Sequence, residues 1–146
     1  MASMIVRRWA RFESSLPEDL FEDEHGFTQP PGKSAADALA EVFRRMGCDV
    51  YYGPGPAAGL IWELGVQKAG RNFGARLNLI EDYWLLVENP SWLDKMLGRN
   101  SQIFLDILKG LASELTSDAR FSNIRWFVSG SEANDGVGAR EPIART

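Results

Sequence analysis

The residues with chemical potential are few, and the most suggestive of them fall on a predicted β-meander. Glu63 and Arg76 lie in two segments of alternating apolar and polar residues, 60–68 and 73–80, and Tyr83 opens the next segment. Carboxylates of this kind can serve as a general acid or base, and polar groups on a sheet face can bind a small ligand. Paired strands could bring Glu63 near Arg76 or Asn78, and a cross-strand ion pair explains such residues without any chemistry. One hypothesis is therefore a small-ligand-binding domain or small enzyme with its site on the open sheet face, at Glu63, Arg76 and Tyr83.

The chain contains few residues that could act as a nucleophile or bind a metal ion. It has one histidine, His25, which lies in an acidic loop, and one cysteine, Cys48. Cys48 follows a predicted helix C-terminus, where the helix dipole disfavours a thiolate, so it is predicted to be a small buried apolar residue. The Gly-rich run 53–59 lacks the Lys-Ser/Thr pair of a phosphate-binding loop. We therefore predict no catalytic residue, no metal ligand and no cofactor, which favours a non-catalytic protein over an enzyme.

A second hypothesis, a non-catalytic protein-binding module, rests on two surface features. Trp92 and Met96 lie in a short helical segment, and an exposed aromatic anchor is typical of protein interfaces. Trp92 could equally cap the end of the core. The long Pro-containing loop 14–32 is acidic. Its candidate binding residues are Glu22, Asp23 and Glu24.

Homodimerisation through the Trp92 segment or an exposed sheet edge is compatible with either hypothesis. The shape of the surface discriminates between them. A pocket with convergent polar groups favours a ligand, whereas a flat acidic surface beside an exposed Trp92 favours a protein partner.

Composition and charge narrow the classes of partner. The 146 residues are 45% hydrophobic and 25% charged, which is typical of one globular domain. With 16 basic and 20 acidic residues the net charge is −4. Because no basic patch is visible, nucleic acid is not an expected partner. No apolar run approaches the ~18 residues of a membrane span, and no signal-peptide pattern is present. The expected location is cytoplasmic, with no membrane contact.

The hydrophobic periodicity predicts an α+β fold. Ser34 is a predicted helix N-cap, Gly47 a C′ residue, and the Gly-Pro run 53–56 the end of a strand. The order β-α-β-β-β-β-α-β favours a two-layer sandwich. Its sheet is mostly antiparallel, with about five to six strands and two main helices on one face. A single domain over 1–129 and a flexible C-terminal tail over 130–146 are expected. The predicted strands are 4–13, 48–52, 60–68, 73–80, 83–88 and 123–129, and the predicted main helices are 35–46 and 101–115.

The order of these features resembles that of small, mostly uncharacterised bacterial α/β proteins. The resemblance covers Pro31–Val128 and lies in an acidic Pro-rich lead-in, the helix KSAADALAEVFRRMG, the strand LIWELGVQKAG, the strand YWLLVE and the late IRWFV. Some proteins of this appearance are immunity proteins of bacterial toxin systems. The resemblance implies a bacterial source and the binding of a toxin, and it transfers no functional residue.

Overall fold

The computed structural model of the chain describes residues 4–19, 21–23, 26–97 and 101–145. Ten strands and four helices occur in this part of the chain. The strands are β1 (Met4–Val6), β2 (Trp9–Ser14), β3 (Phe21–Asp23), β4 (Gly26–Gln29), β5 (Asp49–Ala57), β6 (Ile61–Lys68), β7 (Arg71–Ile80), β8 (Asp82–Glu88), β9 (Phe121–Phe127) and β10 (Ile143–Arg145). The helices are α1 (Lys33–Arg45), α2 (Trp92–Met96), α3 (Gln102–Ser117) and α4 (Gly130–Asp135).

Six strands form the main sheet in the order β5-β6-β7-β8-β2-β9, and every neighbouring pair is antiparallel. The predicted α+β architecture and the predicted meander are thereby confirmed. The predicted first strand, 4–13, is instead two strands, because β1 leaves the main sheet and pairs with β10. The predicted loop 14–32 contains the hairpin β3–β4.

One face of the sheet carries the core, as the alternation in the meander predicts. Trp62, Leu64 and Val66 of β6 are buried on this face. Helices α1 and α3 pack against it, and the ring of Phe104 in α3 stacks on Phe73 of β7 with 5.8 Å between centroids. The two main helices therefore cover one face, which confirms the two-layer arrangement.

Helix α1 begins earlier than its sequence pattern indicates. Its N-cap is Gly32 in a left-handed conformation, with no side-chain cap, and not Ser34. The Ser34 hydroxyl donates instead to the Asp19 carboxylate, so a tertiary contact replaces the local cap. The C-terminal prediction is confirmed, because Gly47 has a φ of 83° and this left-handed conformation favours glycine.

Strand β5 continues through the Gly-Pro run that was expected to end it. The run pairs with β6 up to the partners Ala57 and Ile61, across two register shifts. The expectation was wrong because β5 is an edge strand. An edge strand tolerates proline where the missing N–H would face away from the sheet.

The C-terminal segment is not the irregular tail that the sequence suggests. Helix α4 packs on the face of the sheet opposite α1 and α3, where Arg11 Nη1 donates to the Ala133 carbonyl at 2.9 Å. Ala133 is fully buried, and β10 pairs with β1. The correction has a physical reason, since a short helix with one buried alanine leaves almost no periodic signal.

No helix in the ranges that the structure describes is both long enough and apolar enough to cross a membrane.

Candidate functional site

The second face of the sheet is half covered and half open. Helix α4 lies over β2 and β9, where Gly130 contacts the Trp9 ring and the Gly136 and Gly138 backbone contacts Phe127. The half formed by β5 to β8 holds a cleft of about 340 Å³, which we call the open-face cleft. Its lining residues are Tyr51, Tyr52, Glu63, Leu64, Gly65, Phe73, Gly74, Ala75, Arg76, Glu88 and Pro90.

A row of cross-strand partners runs through the cleft from β5 to β8. Tyr52 pairs with Gly65, Gly65 with Gly74, and Gly74 with Glu88. The two central positions of the row carry no side chain. The Tyr51 ring covers Gly65, and the gap that remains over Gly74, between this ring and the Glu88 carboxylate, is here called the glycine trough. A Cβ placed on Gly74 would meet only the Glu88 Oε2 within 4 Å, at 3.9 Å. The space above Gly74 is therefore open.

Two adjacent tyrosines form one wall of the cleft. Register shifts on either side of Tyr52 interrupt the pairing of β5 with β6, and a bulge of this kind breaks the strict alternation of side chains along a strand. The phenol end of Tyr51 lies over Gly65, where an added Cβ would be 2.6 Å from its Cζ. Tyr51 and Tyr52 are 55% and 50% exposed. Both rings are thus available to a ligand.

The next row carries the charges of the cleft. Glu63 is the direct cross-strand partner of Arg76. The Arg76 Nε lies 3.4 Å from the Glu63 Oε1 and 3.8 Å from the Glu88 Oε2. Two carboxylates and one guanidinium leave one net negative charge at this site. The predicted cross-strand ion pair is therefore confirmed.

The structure brings Glu63 and Arg76 together but does not bring Tyr83 to them. Tyr83 lies on the core face, 3% exposed, with its ring stacked on Phe12 at 5.6 Å. Its hydroxyl is buried, and no described residue makes a hydrogen bond with it. Burial raises the pKa of Tyr83 to about 12, and the negative charges of Glu18 and Asp19 add to the effect. Because side chains alternate along a strand, Tyr83 of β8 faces away from the cleft, whereas Glu88 faces it.

Part of the predicted protein-binding surface lies outside the described residues, namely Glu24 and the side chains of Trp92, Glu22 and Asp23. Met96 is 71% exposed, and Leu93 of the same helix and Leu97, directly after it, are exposed as well. Helix α2 is held by the buried Asp94, whose carboxylate accepts from the Asn89 amide at 3.0 Å. The role of Trp92 and of the acidic residues stays a prediction.

Neither the single cysteine nor the single histidine is among the described residues that line the cleft. Cys48 is buried, as predicted, and burial raises the pKa of its thiol. His25 lies outside the described residues. Within those ranges, no group of three or more His, Cys, Asp or Glu residues could hold a metal ion.

The cleft contains residues that the sequence pattern did not single out, chiefly Tyr51, Tyr52, Gly65 and Gly74. A signal for the glycines was present, since both occupy outward positions in otherwise regular alternating strands. Glycine inside a strand often marks a close approach of a ligand or another chain. The tyrosines had no such signal, because the continuation of β5 as an edge strand was not expected.

The chain matches no protein-family model, no curated protein sequence and no solved structure.

Proposed function

We propose that this protein binds a small organic ligand in the open-face cleft. The observation that carries the proposal is Gly74, which leaves open space in the middle of an otherwise well-formed sheet, next to the Tyr51 ring that covers Gly65. Glycine in a strand interior weakens the strand. A gap made at that expense, and bordered by two exposed tyrosines and three charged side chains, fits a binding site.

The size and lining of the cleft support the same proposal. A volume of about 340 Å³ falls within the ~300–1,000 Å³ of small-molecule sites. The lining combines apolar surface, aromatic rings and a few polar groups, which is the usual make-up of such sites. No Ser, Thr, Cys, His or Lys is among the described residues that line it.

A variant that fills the cleft tests the proposal. Gly74→Leu places an isobutyl group in the open space above β7, while Ser122→Leu adds the same group at an exposed position of β9. Amide NMR spectra of ¹⁵N-labelled protein would be recorded with a collection of small fragments. We expect fragments to shift the signals of residues 63–65 and 73–76 in the wild type and in Ser122→Leu, and not in Gly74→Leu.

Two outcomes would contradict the proposal. One is that no fragment shifts these signals at millimolar concentration. The other is that the shifts persist in Gly74→Leu although its spectrum shows a folded protein, because the bound site would then lie elsewhere.

Protein binding through α2 is the second candidate function, and we propose a second copy of the chain as the partner. The supporting observation is that Leu93 and Met96 of α2 and Leu97, which follows the helix, are all exposed. In a two-fold dimer the same patch meets itself, so each apolar side chain finds apolar surface on the other copy. Sedimentation velocity should then show a concentration-dependent dimer that Met96→Glu abolishes and Val137→Glu does not. A wild type that stays monomeric at high concentration would exclude this candidate.

A further inference from the structure

The charged groups of the open-face cleft indicate which class of ligand it takes, an inference that rests on the proposed function. Arg11, on the covered half of the same sheet face, is an arginine whose three guanidinium nitrogens all make hydrogen bonds. Its Nε and Nη2 donate to Asp82, and its Nη1 donates to a backbone carbonyl. Arg76 differs, because within the described ranges neither of its terminal nitrogens makes a hydrogen bond, and its nearest carboxylates lie beside Nε.

The ion pairs of Arg76 position its guanidinium group but do not use its terminal N–H groups. Both N–O distances, 3.4 and 3.8 Å, exceed those of a good charge-assisted hydrogen bond. All three side chains are more than a third exposed. Exposed pairs of this kind contribute little to stability. The terminal N–H groups of Arg76 and the carboxylate oxygens of Glu63 and Glu88 are therefore open to a ligand.

A ligand with one charge would match only half of this arrangement. An anion drawn to Arg76 would lie beside two carboxylates, and a cation drawn to the carboxylates would lie beside a guanidinium. A ligand that carries both charges satisfies both groups. Because the opposite charges of the site are less than 4 Å apart, the charges of the ligand must be equally close.

We propose that the ligand is a free α-amino acid with an apolar, flat side chain. Its carboxylate would accept from the terminal nitrogens of Arg76, and its ammonium group would donate to Glu63 and Glu88. Its side chain would lie in the glycine trough against Tyr51 and Tyr52, whose ring faces favour aromatic and cationic groups. An α-amino acid has adjacent charges of both signs, whereas the termini of a longer peptide are too far apart.

Three probes that share a phenyl body test the charge requirement. L-Phenylalanine carries both charges, phenethylamine only the cation, and 3-phenylpropanoate only the anion. Calorimetric or NMR titration should show that phenylalanine binds roughly 10-fold or more tightly than either analogue, since each analogue lacks one charge-assisted contact. Arg76→Gln should reduce phenylalanine to the level of phenethylamine. Arg44→Gln, an exposed arginine of α1 in the other layer, should change nothing.

The outcomes separate this inference from the proposed function. If either singly charged analogue binds as tightly as phenylalanine, or if Arg76→Gln leaves the preference intact, the amino-acid assignment is wrong. If none of the three probes binds while another fragment binds in the wild type and not in Gly74→Leu, the assignment fails and the binding site stands. If Gly74→Leu binds phenylalanine like the wild type, the site itself is wrong.

Discussion

Replacing Tyr83 by phenylalanine should stabilise this protein, although the loss of a buried tyrosine hydroxyl usually lowers the stability of a folded protein. Tyr83 is 3% exposed and packs its ring on Phe12. Its hydroxyl is buried and has no hydrogen-bond partner among the residues that the structure describes. Tyr83→Phe keeps the ring and its stacking while it removes a polar group whose hydration is lost on folding without replacement.

The magnitude follows from that lost hydration. A buried polar group without a partner costs about 1–3 kcal/mol, and removing one oxygen forfeits a few contacts of roughly 0.1–0.2 kcal/mol each. The free energy of unfolding should therefore rise by about 1 kcal/mol, which corresponds to a Tm increase of roughly 2–4 °C for a chain of this size.

The high pKa of Tyr83 adds a dependence on pH. Its ordinary value of 10 is raised to about 12 in the folded state, first by burial and then by Glu18 and Asp19. Above pH 10 the unfolded chain releases this proton while the folded protein still holds it, so the wild type loses stability as pH rises from 10 towards 12. The advantage of Tyr83→Phe should grow over the same interval.

Urea unfolding, followed by tryptophan fluorescence at neutral pH and again between pH 10 and 12, measures both effects. Tyr51→Phe is the matched control, because that hydroxyl belongs to an exposed side chain, and its substitution should leave the free energy of unfolding unchanged. A decrease of about 0.5 kcal/mol or more in Tyr83→Phe at neutral pH would show that the hydroxyl has a partner, and the reasoning would be refuted.

Three further predictions concern the glycine trough, the C-terminal segment and an ion-pair cluster. Gly74→Ala should raise the free energy of unfolding by about 0.5 kcal/mol in thermal or urea unfolding, because the added methyl group meets open space and restricts the unfolded chain. Deletion of 130–146 should lower it by about 2 kcal/mol or more in urea unfolding, because it uncovers the fully buried Phe127; an unchanged value would mean that α4 adds nothing to the fold. Hydrogen bonds from the Arg120 side chain hold the pKa of Asp118 far below its ordinary 3.8, with further help from Arg45. Asp118→Asn should then cost roughly 1 kcal/mol at neutral pH. The difference from the wild type should shrink progressively as pH falls below about 4 towards the lowered pKa of Asp118, because the unfolded chain takes up the proton first; a difference constant with pH would contradict the ion-pair explanation.

The amino-acid pattern was sufficient for much of the fold. The alternation in β6 and β7 identified the meander, and it placed Glu63 near Arg76 or Asn78, of which the structure shows Arg76. The periodic apolar residues of α1 and α3 identified the two helices that cover the core. These features are local, since each depends on residues a few positions apart along the chain.

The tertiary structure decided which half of the second sheet face is covered and which half is open. Which strand lies at the edge, and hence whether the Gly-Pro run can remain in β5, depends on the order of strands in the sheet. Whether α4 covers β2 and β9, and so leaves the other half open, depends on contacts between residues more than 100 positions apart, such as Arg11 and Ala133.

In the candidate site, too, some features follow from the sequence and others depend on the tertiary structure. The sequence left Arg76 and Asn78 as possible cross-strand neighbours of Glu63, and the register of the hairpin selects Arg76. The sequence misplaced Tyr83, because a side chain at the start of a strand can face either way until the pairing is known. Tyr51, Tyr52, Gly65 and Gly74 become a cleft only when three strands align them side by side. Local periodicity is a property of the amino-acid sequence itself, whereas the shape of a surface arises from packing between residues far apart in the sequence.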